Sequence, residues 1–150
     1  NRYRLMWMDV KYEPGTVKVV AYDDNGKVAE EKEIRTAGQP YQIVLDADRK
    51  TITADGEDIS FVTVSVVDKN GVPCPTATNQ LKFKVSGAGT YRAACNGDAT
   101  SLEMFHKDTM KLFSGKLVVL VKSKTTAGDI KLEVNGAGLK AGKLTLEAKK

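Results

Sequence analysis

Apolar and polar residues alternate with a period of two through most of this chain. That period marks strands with one buried face. It is clearest in Ile59-Ser60-Phe61-Val62-Thr63-Val64-Ser65-Val66-Val67, where Val62, Val64 and Val66 share one face and Thr63 and Ser65 the other. An acidic turn, Asp55-Gly56-Glu57-Asp58, leads in, and Asn70-Gly71 with Pro73 behind it ends the run. A strand this rich in Val and Thr belongs in a sheet packed on one side. The pattern recurs downstream. Tyr41, Ile43 and Leu45 share a face, and residues 51–54 form a short strand. Leu81, Phe83 and Val85 alternate with Lys82, Lys84 and Ser86. Ile130, Leu132 and Val134 alternate with Lys131 and Glu133, and Leu144, Leu146 and Ala148 with Thr145 and Glu147. Residues 116–123 are apolar on both faces, which predicts a central strand. Glycine-rich turns separate most of these segments, among them Ser86-Gly87-Ala88-Gly89 and Asn135-Gly136-Ala137-Gly138. Seven or so short strands with turns between them predict an all-β fold, an immunoglobulin-like β-sandwich.

The first quarter reads differently. Strands are expected over residues 5–10, 17–22 and 27–35, the last polar and at a sheet edge, with turns at Glu13-Pro14-Gly15 and Asp23-Asp24-Asn25-Gly26. Three strands cannot close a sandwich. Residues 1–36 are therefore expected to be the C-terminal part of a truncated immunoglobulin-like domain, and 37–150 a complete one. Thr36-Ala37-Gly38-Gln39-Pro40 has the composition of the linker. The echo between Asp23-Asp24-Asn25-Gly26 and Asp68-Lys69-Asn70-Gly71 is shared turn chemistry and fits two sandwich units. Residues 101–113 follow neither period. A helical turn beginning at Ser101 is one reading. The favoured one is a crossover whose Leu102, Phe105, Leu112 and Phe113 plug the sandwich.

Composition narrows the function. An apolar share of 41% over 150 residues suffices for a core and excludes disorder. The net charge of +4 comes from 23 basic and 19 acidic residues scattered along strands, a solvated face and not the basic patch of a nucleic-acid binder. The longest apolar run, Leu117-Val118-Val119-Leu120-Val121, has strand length, so no membrane insertion is expected. Asn1-Arg2-Tyr3-Arg4 carries no signal-peptide pattern, and the chain starts without Met. It reads as a piece of a longer polypeptide, so missing targeting signals say nothing about the parent. Cys74 and Cys95 match no metal spacing. Two free thiols are favoured over a disulfide.

Reactive constellations are scarce. The only histidine, His106, lies in the irregular segment, and no Gly-x-Ser-x-Gly elbow surrounds any serine, which speaks against a Ser/His/Asp site. Asp98 with Glu103, and Asp55, Glu57 and Asp58, sit too close in sequence to face each other across a sugar cleft. Asn96-Gly97-Asp98 reads as a turn with Asp98 accepting from backbone amides. Asp23, Asp24 and Asn25, or Asp46 and Asp48, offer oxygens without EF-hand spacing and read as turn chemistry. No catalytic residue, metal site or cofactor is therefore expected. Trp7, Tyr12, Tyr22, Tyr41 and Tyr91 are the aromatic candidates for stacking on sugar. Trp7, between Met6 and Met8, is expected in a core. Tyr91 and Arg92, on an expected end loop over residues 86–96, are the candidate contacts for a glycan or a neighbouring domain.

These residues carry a resemblance. The stretch from Leu5-Met6-Trp7-Met8-Asp9-Val10 to Val19-Val20-Ala21-Tyr22 is similar to the end of the immunoglobulin-like domain that follows the catalytic barrel in bacterial glycoside hydrolase family 2 enzymes, β-galactosidases above all. The run from Asp55 to Pro73 resembles the opening of their C-terminal domain. Asn96-Gly97-Asp98-Ala99-Thr100-Ser101-Leu102-Glu103, with Phe105, Phe113 and Gly115, resembles its most characteristic stretch. Cys74, Cys95 and Lys111 depart from that pattern. The resemblance implies a retaining parent hydrolase with two glutamates in a (β/α)8 barrel outside this chain, and none of its catalytic residues maps here. It implies a non-catalytic module whose partners are the barrel and neighbouring domains of the same polypeptide, with carbohydrate as a second partner, and a periplasmic or cell-surface location in a Gram-negative bacterium. A carbohydrate-binding module and a cell-surface adhesin repeat, which the same valine-rich stretch also resembles, are the alternatives.

Overall fold

A computed structural model describes residues 4–150; the Asn1-Arg2-Tyr3 start lies outside the described residues. Every regular element among them is a strand. The chain divides into two compact units, Asn1–Thr36 and Ala37–Lys150.

The first unit holds one antiparallel hairpin, β1 (Thr16–Tyr22) and β2 (Val28–Arg35), in the register Thr16↔Arg35 to Ala21↔Glu30. Asp23 closes its turn by accepting from the N–H groups of Asn25 and Lys27 at 2.9 and 2.8 Å. The strand expected over residues 5–10 does not form, because no neighbouring strand offers it a ladder. Trp7 is 61% exposed, against the expectation of a core position. A single hairpin has no second layer to cover an indole.

The second unit is the sandwich. One sheet has the order β4 (Thr51–Thr53), β11 (Gly142–Lys149), β10 (Gly128–Gly136), β6 (Gln80–Gly87), β8 (Thr109–Lys111). The other runs β3 (Gln42–Ala47), β5 (Ile59–Val67), β9 (Lys116–Ser123), β7 (Gly89–Cys95). All pairings are antiparallel except β4 on β11. The core is what the alternation predicts: Val62, Val64 and Val66 face Leu81, Ile130, Leu132, Val134 and Leu146, all 1% exposed or less. Each such side chain contributes about 1.5–3 kcal/mol through burial. The apolar strand β9 lies between β5 and β7, inside its sheet as expected. Tyr41 departs from its expected face: it precedes β3 and is 40% exposed.

Two segments differ from expectation. Residues 86–96 are not an end loop. Gly87 turns at φ 86°, where a Cβ would meet the Asp129 carbonyl oxygen at 2.1 Å, and the chain reverses at once into β7. Residues 101–113 cross over without a helix; Leu112 plugs the sandwich as expected, at 3% exposure, but its companion is Met110, at 1%. Leu102, Phe105 and Phe113 stay outside at 97%, 59% and 47%. The three-residue strand β8 pairs with β6 and turns Met110 inward, so the period of two decides what enters the core.

Candidate functional site

Five aspartates of the sandwich, Asp48, Asp55, Asp58, Asp68 and Asp98, hold its own backbone. Asp58 accepts from the Thr53 N–H at 2.8 Å, the Arg49 guanidinium at 2.9 Å and the Ile59 N–H at 2.8 Å. Those bonds, Thr53 first, pull its pKa down to about 2. Asp55 accepts from the N–H groups of Glu57 and Asp58 at 2.7 and 2.8 Å, which lowers it. Partial burial pushes Asp48 up, but donors from Phe61, Ser60 and Arg49 outweigh it and the net shift is downward. Glu57 pairs with Lys122 at 2.9 Å. Asp98 accepts from the N–H and hydroxyl of Thr100 at 2.9 and 2.7 Å, the turn read from the sequence. Asp68 binds the N–H groups of Gly38, Asn70 and Val72 at 2.8, 2.8 and 2.9 Å, tying the linker to the turn after β5. General acid catalysis needs a carboxyl held neutral near its working pH. Asp48, Asp55, Asp58, Asp68 and Asp98 are shifted the other way.

His106 is exposed on the crossover. No group of three or more His, Cys, Asp or Glu side chains able to hold a metal ion lies among the described residues. Cys74 is buried and Cys95 exposed, both free thiols. Burial pushes the Cys74 thiol up, and Asp68 adds to the shift.

Tyr91 sits inside the sheet edge. Its ring stacks on Phe83 with centroids 5.7 Å apart and planes 9° from parallel. Its hydroxyl donates to the carbonyls of Phe105, at 3.0 Å, and Lys107. Burial raises its pKa to about 12, with Asp108 adding to it. Arg92 is the extra residue of a bulge between Tyr91 and Ala93 and is exposed. The structure thus separates the two residues: one ties the crossover down, the other faces water.

Alternation on the two sheets leaves very different outer faces. On the five-stranded sheet the outward rows are Lys84↔Glu133↔Lys143 and Ser86↔Lys131↔Thr145, with Glu147 beyond them. They floor a shallow groove of about 280 Å³. On the four-stranded sheet the two central outward rows are Phe61↔Leu120↔Ala93 and Thr63↔Val118↔Cys95, with Val44 and Asp46 on the neighbouring strand and Ile59↔Lys122 and Ser65↔Lys116 as the rows on either side. Phe61 is 48% and Val44 38% exposed, and Val118 and Leu120 are half-buried. This apolar sheet face escaped the reading of the sequence, although Phe61, Val118 and Leu120 were visible as odd-phase apolar residues in β5 and β9.

Fold and surface define an all-β sandwich module whose four-stranded sheet carries apolar side chains on its outer face. The family model for glycoside hydrolase family 2 C-terminal domain 5 matches residues 43–145, and the chain belongs to that family. A domain of unknown function, DUF4982, matches residues 1–30. The chain is 45% identical over 139 residues to the β-galactosidase BoGH2A of Bacteroides ovatus, covering 93% of this chain and 16% of that protein. It is 29% identical to a β-glucuronidase of Formosa agariphila, of which it spans 15% while 99% of this chain is covered. The crystal structure of a β-glycosidase from Bacteroides vulgatus superposes with a TM-score of 0.88 at 30% identity, over 96% of this chain and 18% of that one. The chain thus spans about a sixth of the length of the curated relatives it matches.

Proposed function

We propose that this chain is the non-catalytic C-terminal region of a family 2 glycoside hydrolase, and that its sandwich docks on the rest of the same polypeptide through Val44, Phe61, Val118 and Leu120. In this reading residues 1–36 end one immunoglobulin-like domain and 37–150 form the next. The observation that carries the docking reading is the contrast of the outer faces: one is polar and largely charged, the other presents a row of apolar side chains that water alone would not favour. The short span against the relatives supports an occupant in the same polypeptide, since more than four-fifths of each relative lies outside the match. The commitment of the aspartates to backbone donors supports a structural role. Arg92 belongs with the docking contacts. Tyr91, whose hydroxyl is engaged, belongs with the scaffold and not with a glycan. The parent's proposed substrate is a β-galactoside, by the name of the 45% identical relative. A periplasmic or cell-surface location, proposed with it, is checked by fractionating cells that express the full-length polypeptide.

Two measurements test the reading. The full-length polypeptide should hydrolyse a chromogenic β-galactoside while the 150-residue chain does not. Turnover by the pure chain defeats the non-catalytic role. In the full-length polypeptide, Phe61→Lys with Leu120→Lys should speed limited proteolysis between the sandwich and its neighbours at least tenfold. An unchanged cleavage rate removes this face as the docking surface.

A further inference from the structure

The crossover between β7 and β8 is rigidly held, yet it turns large apolar side chains to solvent. Leu102 is 97% exposed, Met104 58% and Phe105 59%. Their neighbours are fastened. The Glu103 carboxylate accepts from the Lys111 N–H at 3.1 Å and from the Gln80 side-chain amide at 3.2 Å. The Asn96 amide donates to the Lys111 carbonyl at 3.0 Å. The Phe105 carbonyl takes the Ala94 N–H at 2.8 Å and the Tyr91 hydroxyl at 3.0 Å. A loop with nothing to cover would gain by letting Leu102 and Met104 collapse inward, and its side-chain entropy opposes ordering. Here Ser101 and Glu103 are half-buried, while Leu102 between them and Met104 and Phe105 after them are exposed.

We infer that Leu102, Met104 and Phe105 form a second docking ledge, beside the free edge of β7, which seats in an apolar depression with an acidic rim elsewhere in the same polypeptide. The inference rests on the proposed placement of this chain within a longer hydrolase. Area selects the occupant. Three such side chains expose roughly 400 Å², about half of the ~800 Å² per partner that a stable two-chain interface needs. A contact that small persists when the partner is tethered, because the effective concentration is high. Charge selects the rim: Lys107 and Lys111 flank the ledge, both exposed and without an ion pair among the described residues.

Methionine oxidation in the full-length polypeptide reads the ledge directly, since peroxide attacks exposed thioethers. Met110, 1% exposed in the core, is the internal reference. A seated ledge gives a Met104 sulfoxide rate within about threefold of Met110, unchanged on dilution. Leu102→Asp should then raise the Met104 rate at least tenfold. Met104 oxidising more than thirtyfold faster than Met110 in the unmutated polypeptide overturns the inference. Protection that disappears on dilution assigns the ledge to a second copy and overturns it equally. The Phe61 and Leu120 proteolysis result is read separately, so either surface can fail alone.

Discussion

The two outer faces of the sandwich are built from the same strand grammar and differ only in what occupies the outward phase. On the five-stranded sheet, Lys84, Lys131, Glu133, Lys143, Thr145 and Glu147 point out. On the four-stranded sheet, Phe61, Val118, Leu120 and Val44 point out. Inward, the two sheets are alike: Leu117, Val119 and Val121 on one, Ile130, Leu132 and Val134 on the other, all 2% exposed or less. The inner faces explain why the unit folds, and the difference between the outer faces is what the proposed docking side rests on.

The largest effect should fall where the sheets agree. Leu117→Ala and Leu132→Ala each remove a fully buried side chain, one from each sheet, and each should lower unfolding free energy by about 3 kcal/mol. Denaturant midpoints of the 150-residue chain check this. If Leu117→Ala proves nearly neutral while Leu132→Ala does not, the four-stranded sheet is not an equal half of the core, and its outer face loses meaning as a docking surface.

A smaller effect belongs to one end of the sandwich. Asp58 sits at about 2 when folded, below the ordinary carboxyl value, because the Thr53 N–H and Arg49 bind its charged form. A depressed carboxyl contributes stability that is whole above the unfolded pKa and lost as the pH falls through the folded one. Asp48, Asp55, Asp68 and Asp98 shift the same way. Stability should therefore hold steady above about pH 5 and decline towards pH 2. Asp58→Asn should make that acid limb shallower and leave a lower plateau at neutral pH. An acid limb of unchanged slope in thermal scans from pH 2 to 7 would show that these turn bonds do not carry the dependence, and would return attention to the charged face.

Much of this was legible beforehand. Wherever β-branched or aromatic residues alternated with Lys, Ser or Thr, as in β5, β6, β10 and β11, the period named the strand and its inner face. The central place of β9 followed from apolar residues in both phases. Legibility failed where tertiary context decides. Residues 5–10 have strand composition but no partner. Gly89–Cys95 looked like loop because glycines, alanines and a bulge at Arg92 hide its period, and only pairing with β9 reveals it. Of the expected plug residues Leu112 is buried, whereas Leu102, Phe105 and Phe113, expected there for their size, stay out, and Met110 on β8, in phase with Leu112, escaped the reading of the sequence. The turn role of Asp98 was readable, but the candidate docking face was not. Phe61 and Leu120 meet only through the β5–β9 register, which no single segment of sequence displays.

The smallest effect sharpens the comparison most. Lys131 stands outward between Ser86 and Thr145 with no ion pair among the described residues. On a solvated face its ammonium gains little from neighbours and its stem covers little apolar surface, so Lys131→Ala should change stability by less than about 0.5 kcal/mol. That near-neutrality should hold in the full-length polypeptide as well as in the 150-residue chain, because nothing is expected to rest on this face. Phe61→Lys should behave differently, nearly silent in the short chain and destabilising in the long one. A Lys131→Ala effect that grows in the full-length polypeptide would mean the charged face is covered too, and the asymmetry between the sheets would then stop distinguishing a docking side from a solvent side.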